Sequence, residues 1–80
     1  MTLDKYKIKA LENVERGVVW DEDHGEYFEL KSDGARARDV FTLEVEGLIK
    51  RGAEEKLGKR SIYRYSLTDA GKQALEEVRK

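Results

Sequence analysis

A strand that leads directly into a helix is predicted near the end of the chain, and this pairing constrains the fold more than any other feature. Tyr63, Tyr65 and Leu67 alternate with polar residues, which is the period-two pattern of a strand with one buried face. Thr68 follows at once, and its hydroxyl can accept a hydrogen bond from an otherwise unpaired N–H in the first turn of a helix. Asp69 adds negative charge at the positive end of the helix dipole. The helix is predicted to bury Ala70, Ala74, Leu75 and Val78.

A longer helix is predicted in the centre of the chain. Ser32 or Asp33 would cap its start, and helical periodicity continues to about Lys50, shortly before Gly52. Because its apolar residues form two adjacent stripes, we expect one stripe to meet the other helices and the second to be covered by a hairpin or a second subunit. The first stripe comprises Val40, Leu43 and Gly47, and the second comprises Ala37, Phe41, Val45 and Leu48.

A basic hairpin is predicted between the two helices. Its strands would cover Ala53–Leu57 and Ser61–Leu67. The turn Gly58-Lys59-Arg60 joins them, with a glycine that tolerates unusual dihedral angles and two cations at the tip.

The N-terminal segment predicts a first helix. Strong helix formers extend from Thr2 or Asp4 to about Glu15, and Gly17 ends the run. Its apolar residues recur every three or four positions, as expected of a helix with one buried side. The residues on that side are Leu3, Tyr6, Ala10, Leu11 and Val14.

The segment after the first helix favours a second hairpin. The β-rich runs Val18–Trp20 and Tyr27–Leu30 flank an acidic loop, Asp21–Glu26. A short helix over Glu26–Lys31, followed by a turn at Ser32-Asp33-Gly34, is the alternative. The aromatic residues Trp20, Tyr27 and Phe28 are expected in the core, and the alternative is a ligand pocket or an interface.

Two motifs have the spacing found in winged helix-turn-helix regulators, including the MarR and PadR types. One is a helix end, Leu43-x-x-x-Gly47-Leu48-Ile49, and the other is a strand that enters a helix, Tyr65-x-Leu67-Thr68-x-x-Gly71. Residues 33–78 resemble this family well, whereas residues 1–32 share only the order of elements and lack the family's usual second helix if the hairpin forms. The resemblance implies one α+β winged-helix domain over residues 1–80, with three helices and a hairpin wing. The β-rich runs after the first helix add a second short hairpin, which departs from the family pattern.

Composition narrows the class of protein. Eighty residues without cysteine form one small domain that depends on packing and has no disulfide or thiolate site. No apolar run approaches the roughly 20 residues of a membrane span, and the first residues lack the apolar core of a signal peptide. The sequence therefore predicts a cytoplasmic protein with no membrane partner.

The charge distribution is more informative than the net charge of −1. Residues 1–30 hold four Lys or Arg against eight Asp or Glu, whereas residues 31–64 hold nine against six. Because phosphate binding depends on clustered cations, the basic excess lies on the segment that a winged helix presents to DNA.

The resemblance implies that the central helix reads double-stranded DNA. Arg36 and Arg38 lie in its first turns, the end that points toward base edges in helix-turn-helix proteins, and Thr42 follows one turn later. The alternative is a solvated helix face. Asp39 and Glu46 favour that alternative, since they would repel phosphate or pair with an arginine.

The basic hairpin supplies the remaining DNA-contact candidates. Lys59 and Arg60 at the tip, with Lys56 and Arg64 on the strands, suit phosphate or minor-groove contact. The alternative is that a basic turn increases solubility and protects a sheet edge.

The acidic loop does not match a known metal-binding pattern. Asp21 and Asp23 place Gly25 at the fifth position, whereas an EF-hand needs glycine at the sixth and a closing glutamate. A single histidine, His24, among carboxylates is a poor zinc ligand set. The sequence predicts no metal, no cofactor and no enzyme activity, and the loop would be solvated or would bind a basic partner.

These observations predict a small sequence-specific DNA-binding protein, either a transcriptional regulator or a phage or mobile-element accessory factor. A homodimer is expected, because winged-helix regulators commonly dimerise and one domain with few cations binds DNA weakly. The alternative is a winged-helix protein–protein interaction module without DNA binding, which would use the acidic loop and the stripe with Phe41 and Val45. A third possibility is a stable domain from a larger assembly.

Overall fold

The computed structural model describes residues 3–80 as three helices and a four-stranded antiparallel sheet. The elements are α1 (Lys5–Glu15), β1 (Trp20–Asp23), β2 (Phe28–Lys31), α2 (Ala37–Val45), β3 (Ile49–Leu57), β4 (Arg60–Leu67) and α3 (Asp69–Val78). The strand order is β2-β1-β4-β3, so the first hairpin joins the second through β1 and β4. The α+β class is confirmed, and a hairpin follows α1 instead of a short helix.

Helix α1 begins at a side-chain cap. The Asp4 carboxylate accepts backbone hydrogen bonds from Tyr6 at 3.0 Å and Lys7 at 2.9 Å. The bond from Lys7 is the main cause that lowers the pKa of Asp4. The alternative start at Thr2 lies outside the described residues. The helix buries Ala10, Leu11 and Val14 as predicted, whereas Tyr6 is largely exposed, so its predicted burial is wrong.

Helix α2 starts three residues later than predicted from a cap at Asp33. Asp33 has a φ of 51° and Gly34 has a φ of 92°, and two consecutive left-handed residues cannot continue a right-handed helix. The Asn13 side chain fixes this turn, since its amide donates to the carbonyls of Ser32 at 2.9 Å and Asp33 at 3.1 Å. The helix therefore forms only from Ala37 onward.

The predicted extension of α2 to Lys50 is also wrong. The helix ends at Val45, and Gly47 follows with a φ of 78°. The N–H of Leu48 donates to the carbonyl of Leu43 at 2.9 Å, the bond that closes a Schellman motif. The chain leaves the helix here, so Leu48 and the residue after it are buried without being helical.

The two sequence motifs on which the resemblance to winged-helix regulators rests are in direct contact in the structure. The Thr68 hydroxyl accepts from the N–H of Gly71 at 3.1 Å and donates to the carbonyl of Gly47 at 2.7 Å. The N–H of Thr68 donates to the carbonyl of Leu48 at 3.1 Å. A Cβ atom on Gly71 would lie 2.0 Å from that same carbonyl oxygen, so only glycine fits. This junction connects the end of α2 to the start of α3.

The β3–β4 hairpin is longer than predicted. Strand β3 begins at Ile49 rather than Ala53, and its register against β4 shifts after Arg51. Gly52 lies in this irregularity, where an added Cβ would be 2.8 Å from the backbone oxygen of Arg64. The close approach of the two backbones explains a glycine inside the strand.

The core lies at the end of the sheet that contacts the helices. Its fully buried large side chains include Leu11, Val19, Leu43, Ile49 and Leu75. By contrast, every residue from 50 to 60 is exposed, and the molecule measures 41 × 20 × 19 Å, so the hairpin extends beyond the helices.

Two of the residues predicted to be buried in α3 are exposed. Ala70 and Val78 are exposed, because only Gly71, Ala74 and Leu75 turn toward the core.

None of the helices within residues 3–80 combines the length and the apolar character that crossing a bilayer requires.

Candidate nucleic-acid interface

One face of helix α2 packs into the core, and the opposite face lies outside it. Leu43 is fully buried in the core. Phe41 and Val45 are 66% and 69% exposed, although the sequence pattern predicted them under a hairpin or a second subunit. Of their stripe only Leu48 is buried, because the chain has already left the helix there. The outward face of α2 is therefore a free surface of this chain.

Two of the predicted DNA-contact residues lie on that outward side of α2. Arg38 is exposed in the first turn and forms no ion pair with any residue from 3 to 80. Thr42 is half-buried, and its hydroxyl donates to the carbonyl of Arg38 at 2.8 Å. The hydroxyl oxygen still has an acceptor site, and the Arg38 guanidinium has all its donors available.

Arg36 instead forms an ion pair within this chain. Its Nε lies 2.6 Å from Oδ2 of Asp39 and its Nη2 lies 3.3 Å from Oδ1, and Asp39 is buried. The guanidinium also stacks 3.8 Å from the centre of the Tyr6 ring. The hydrogen bonds to Asp39 raise the pKa of Arg36. Withdrawing Arg36 would leave a buried carboxylate without its partner, so this arginine fixes the start of α2 against α1.

The tip of the β3–β4 hairpin carries one cation that the rest of the described chain leaves unpaired. Lys59 is exposed and has no carboxylate partner among residues 3–80. Lys56 lies nearby, with its Nζ 3.0 Å from the Ser61 hydroxyl and 3.5 Å from Oε2 of Glu54. The Ser61 hydroxyl is the main cause that lowers the pKa of Glu54. Exposed contacts of this kind are weak, so both lysines can turn toward a phosphate.

Arg60 contacts the acidic loop, an arrangement that sequence reasoning did not predict. Because β1 pairs with β4, the acidic β1–β2 turn lies beside the basic β3–β4 turn. The Nη1 atom of Arg60 is 3.1 Å from Oε2 of Glu22 and 3.0 Å from Nε2 of His24. The His24 ring stacks on Tyr27 with centroids 4.8 Å apart. A cavity of about 400 Å³ separates the two turns and is lined by Asp23, His24, Gly25, Lys59, Arg60 and Ser61.

Arg64 packs along the outer face of the sheet. Its Nε is 3.2 Å from Oε2 of Glu55, and its Nη1 donates to the carbonyl of Gly17. The guanidinium lies 5.3 Å from the Trp20 ring, which it helps to cover. Arg64 therefore stabilises the start of β1 rather than projecting into solvent.

The opposite face of the sheet carries an aromatic strip that sequence reasoning missed. Phe28 is 51% exposed, and the Arg51 guanidinium lies between it and Tyr63, 5.0 and 4.3 Å from the two ring centres. Tyr27 is exposed as well, so the predicted burial of Tyr27 and Phe28 is wrong. Alternation along β2 shows that two faces exist, but it does not show that the helices cover only one end of the sheet.

The structure thus divides the seven predicted DNA-contact residues into two groups. Those with cationic or hydroxyl groups available to solvent are Arg38, Thr42, Lys56 and Lys59. Those whose guanidinium groups bind carboxylates of this chain are Arg36, Arg60 and Arg64. Comparisons of the chain with protein families, with curated proteins and with solved structures give no match.

Proposed function

We propose that this chain is a small DNA-binding protein with a trimmed winged-helix domain, in which a hairpin replaces the usual second helix. The observation that carries the proposal is the pair of exposed, cation-bearing elements that extend outside the core. These are the outward face of α2 and the tip of the β3–β4 hairpin. A helix and a projecting hairpin are the two shapes that enter DNA grooves or follow the backbone.

In this proposal α2 enters the major groove. Arg38 suits bidentate contact with guanine, since its donors are not used within the described chain. Phe41 lies three residues further along and suits contact with a thymine methyl group. Thr42 would accept or donate at the groove edge or a phosphate. The exposed apolar residues of α2 would then have a role on DNA.

The hairpin tip would contact the backbone through Lys59 and Lys56. Both are flexible point charges, which suit phosphate contact without sequence preference. Arg60 would contribute less, because its charge is already balanced by Glu22. A regulator or an accessory factor of mobile DNA would act as a homodimer, since a single domain with so few available cations makes few phosphate contacts.

Titration of mixed-sequence duplex DNA at about 50 and 200 mM salt tests the proposal. We expect wild-type binding that weakens steeply with salt, and a slope of log K against log salt that falls by about 1 in Lys59→Gln. Arg38→Gln should weaken binding about tenfold or more through lost base and phosphate contacts. Lys72→Gln, which removes an exposed cation on α3, is the matched control and should leave binding unchanged. Absence of wild-type binding at the lower salt concentration would overturn the proposal.

A protein-binding module is the second candidate, and the exposed apolar residues of α2 favour it. Phe41 and Val45 lie one turn apart on one helix face and are each about two-thirds exposed. Apolar residues grouped in this way often mark protein contacts. Sedimentation velocity of the wild type and of a Phe41→Ser/Val45→Ser variant would detect self-association through this face. Self-association that both serines abolish, combined with no DNA binding, would favour this candidate.

A further inference from the structure

The side chains around His24 form a cluster that the proposed DNA contacts do not use. The His24 Nε2 atom lies 2.9 Å from Oε1 of Glu29 and 3.1 Å from Oε2 of Glu22. One potential ligand atom from each residue lies within 4.8 Å of those of the other two. Two carboxylate oxygens thus approach one imidazole nitrogen, which carries at most one proton. A single N–H cannot satisfy both carboxylates well.

Strand pairing fixes the positions of Glu22 and Glu29, and His24 lies in the turn directly after β1. Glu22 on β1 is the direct register partner of Glu29 on β2, so both side chains lie on the same face of the sheet. His24 follows Glu22 by two positions and lies on that face as well. The His24 N–H also donates to the carbonyl of Tyr27 at 2.9 Å, and the stacked Tyr27 ring limits rotation of the imidazole.

We propose that Glu22, His24 and Glu29 bind a divalent transition-metal ion of the zinc class. Nitrogen and oxygen ligands about 2.0–2.2 Å from one zinc ion lie roughly 3.0–3.5 Å from one another, close to both distances from Nε2. The loop sequence alone predicted no metal, but strand pairing adds Glu29 to Glu22 and His24. One imidazole and two carboxylates suit Zn²⁺ rather than Ca²⁺, which takes six or more oxygen ligands. Three protein ligands leave a fourth position for water.

Arg60 competes with the ion for this site. Its Nη1 contacts both ring nitrogens of His24 and lies 3.1 Å from Glu22, so a cationic group already balances the cluster. A guanidinium can only donate, so its contact with a ring nitrogen needs a lone pair that a metal ion would take. Metal binding therefore displaces Arg60. Lys31 does not compete in the same way, because its Nζ contacts the other oxygen of Glu29, Oε2, at 3.1 Å.

Zn²⁺ titration of tag-free protein tests the site by calorimetry and by NMR. His24 is the single histidine of the chain, so its imidazole signals are assigned without further work. We expect one equivalent of Zn²⁺ to shift those signals. Glu29→Gln, which keeps size and strand register, should weaken Zn²⁺ binding by at least about tenfold. Glu26→Gln, an exposed carboxylate on the same hairpin but outside the cluster, is the matched control and should bind as the wild type does.

Removal of Arg60 gives a test that a nonspecific site would fail. In Arg60→Gln the competing cation is lost, so Zn²⁺ should bind more tightly than to the wild type, whereas loss of a merely structural residue would loosen the cluster. Thermal unfolding followed by circular dichroism verifies that each variant is folded before it is titrated. Unchanged imidazole signals in wild type and Arg60→Gln alike, or equal affinity in Glu29→Gln and Glu26→Gln, would overturn the proposal.

Discussion

The two ends of the four-stranded sheet differ in what stabilises them. At the end that faces the helices, Val19, Ile49 and Tyr65 are buried in the core. At the far end Ile62 is buried, but most residues are exposed and form surface ion pairs, such as Lys56 with Glu54. Burial of large apolar side chains contributes about 1.5–3 kcal/mol each, whereas an exposed ion pair contributes about 0–1 kcal/mol. Stability therefore resides mainly at the helix end.

The two ends also differ in how many other side chains their positions could accept. At the junction near Gly71 and Thr68, backbone oxygens and a hydroxyl leave no room for another side chain. At the far end, Lys59 could become almost any polar residue without loss of packing, because it is fully on the surface. A sequence that retains the junction and varies the tip would keep the fold.

The largest predicted effect lies at the helix end, in Gly71→Ala. The new methyl carbon would lie 2.0 Å from the Leu48 carbonyl oxygen, and that oxygen belongs to packed backbone that cannot easily move. We expect the free energy of unfolding to fall by at least about 3 kcal/mol, measured by urea denaturation. Gly47→Ala is the control: it has a φ of 78° but nothing within 4 Å, so only backbone strain of about 1–2 kcal/mol is expected. Equal losses in both variants would contradict the steric account.

A smaller effect is expected from Tyr65→Phe, which removes a hydroxyl at the edge of the core. The buried hydroxyl donates to Oδ2 of Asp21 at 2.9 Å, and the same oxygen lies 3.3 Å from Nη1 of Arg51. Loss of a hydrogen bond to a charged group should lower the free energy of unfolding by about 1.5–3 kcal/mol. Tyr63→Phe, which removes a hydroxyl at a less buried position on the same strand, is the matched control and should change stability by less than about 0.5 kcal/mol.

The same tyrosine predicts a dependence of stability on alkaline pH. Burial, followed by the hydrogen bond to Asp21, raises the pKa of Tyr65 in the folded state. A raised pKa gives a contribution that is fully present below about pH 10, the ordinary value for tyrosine, and that is lost as pH rises toward the folded-state pKa. Urea denaturation of the wild type should therefore lose stability above pH 10 more steeply than that of Tyr65→Phe. Parallel pH profiles for the two proteins would contradict this assignment.

The smallest effect is expected at the far end, in Glu55→Gln. Glu55 pairs with Arg64 across the strands at 3.2 Å, and the two side chains are 48% and 36% exposed. The free energy of unfolding should change by less than about 0.5 kcal/mol. A loss comparable to that of Tyr65→Phe would show that ion pairs at the far end stabilise the sheet after all.

Patterns of local sequence predicted the elements but misjudged where α2 begins and ends. Leu48 and Ile49 continue the apolar spacing of the helix, so periodicity alone extends it to Lys50. The positive φ of Gly47 ends the helix, and a glycine in a sequence does not reveal its dihedral angles. By contrast, the cap at Thr68 was predicted correctly, because capping depends on residues within one turn.

The composition of the candidate site could not be predicted, because it depends on strand order. Arg60 and Glu22 lie 38 residues apart and meet only because β1 pairs with β4. Sequence reasoning could therefore identify an acidic loop and a basic tip but could not place one beside the other. The pairing of Arg36 with Asp39 is local, and their spacing of three residues did indicate it.

We propose that the outward face of α2 and the hairpin tip form the binding surface, while the core between the helices and the sheet supplies stability. An NMR titration of isotopically labelled protein with a short duplex tests this most directly, because each backbone amide reports separately. We predict shifts concentrated at Arg38, Phe41 and Thr42 and around Lys59, with little change across α3. No shifts at about 50 mM salt, or shifts confined to α3, would contradict the account.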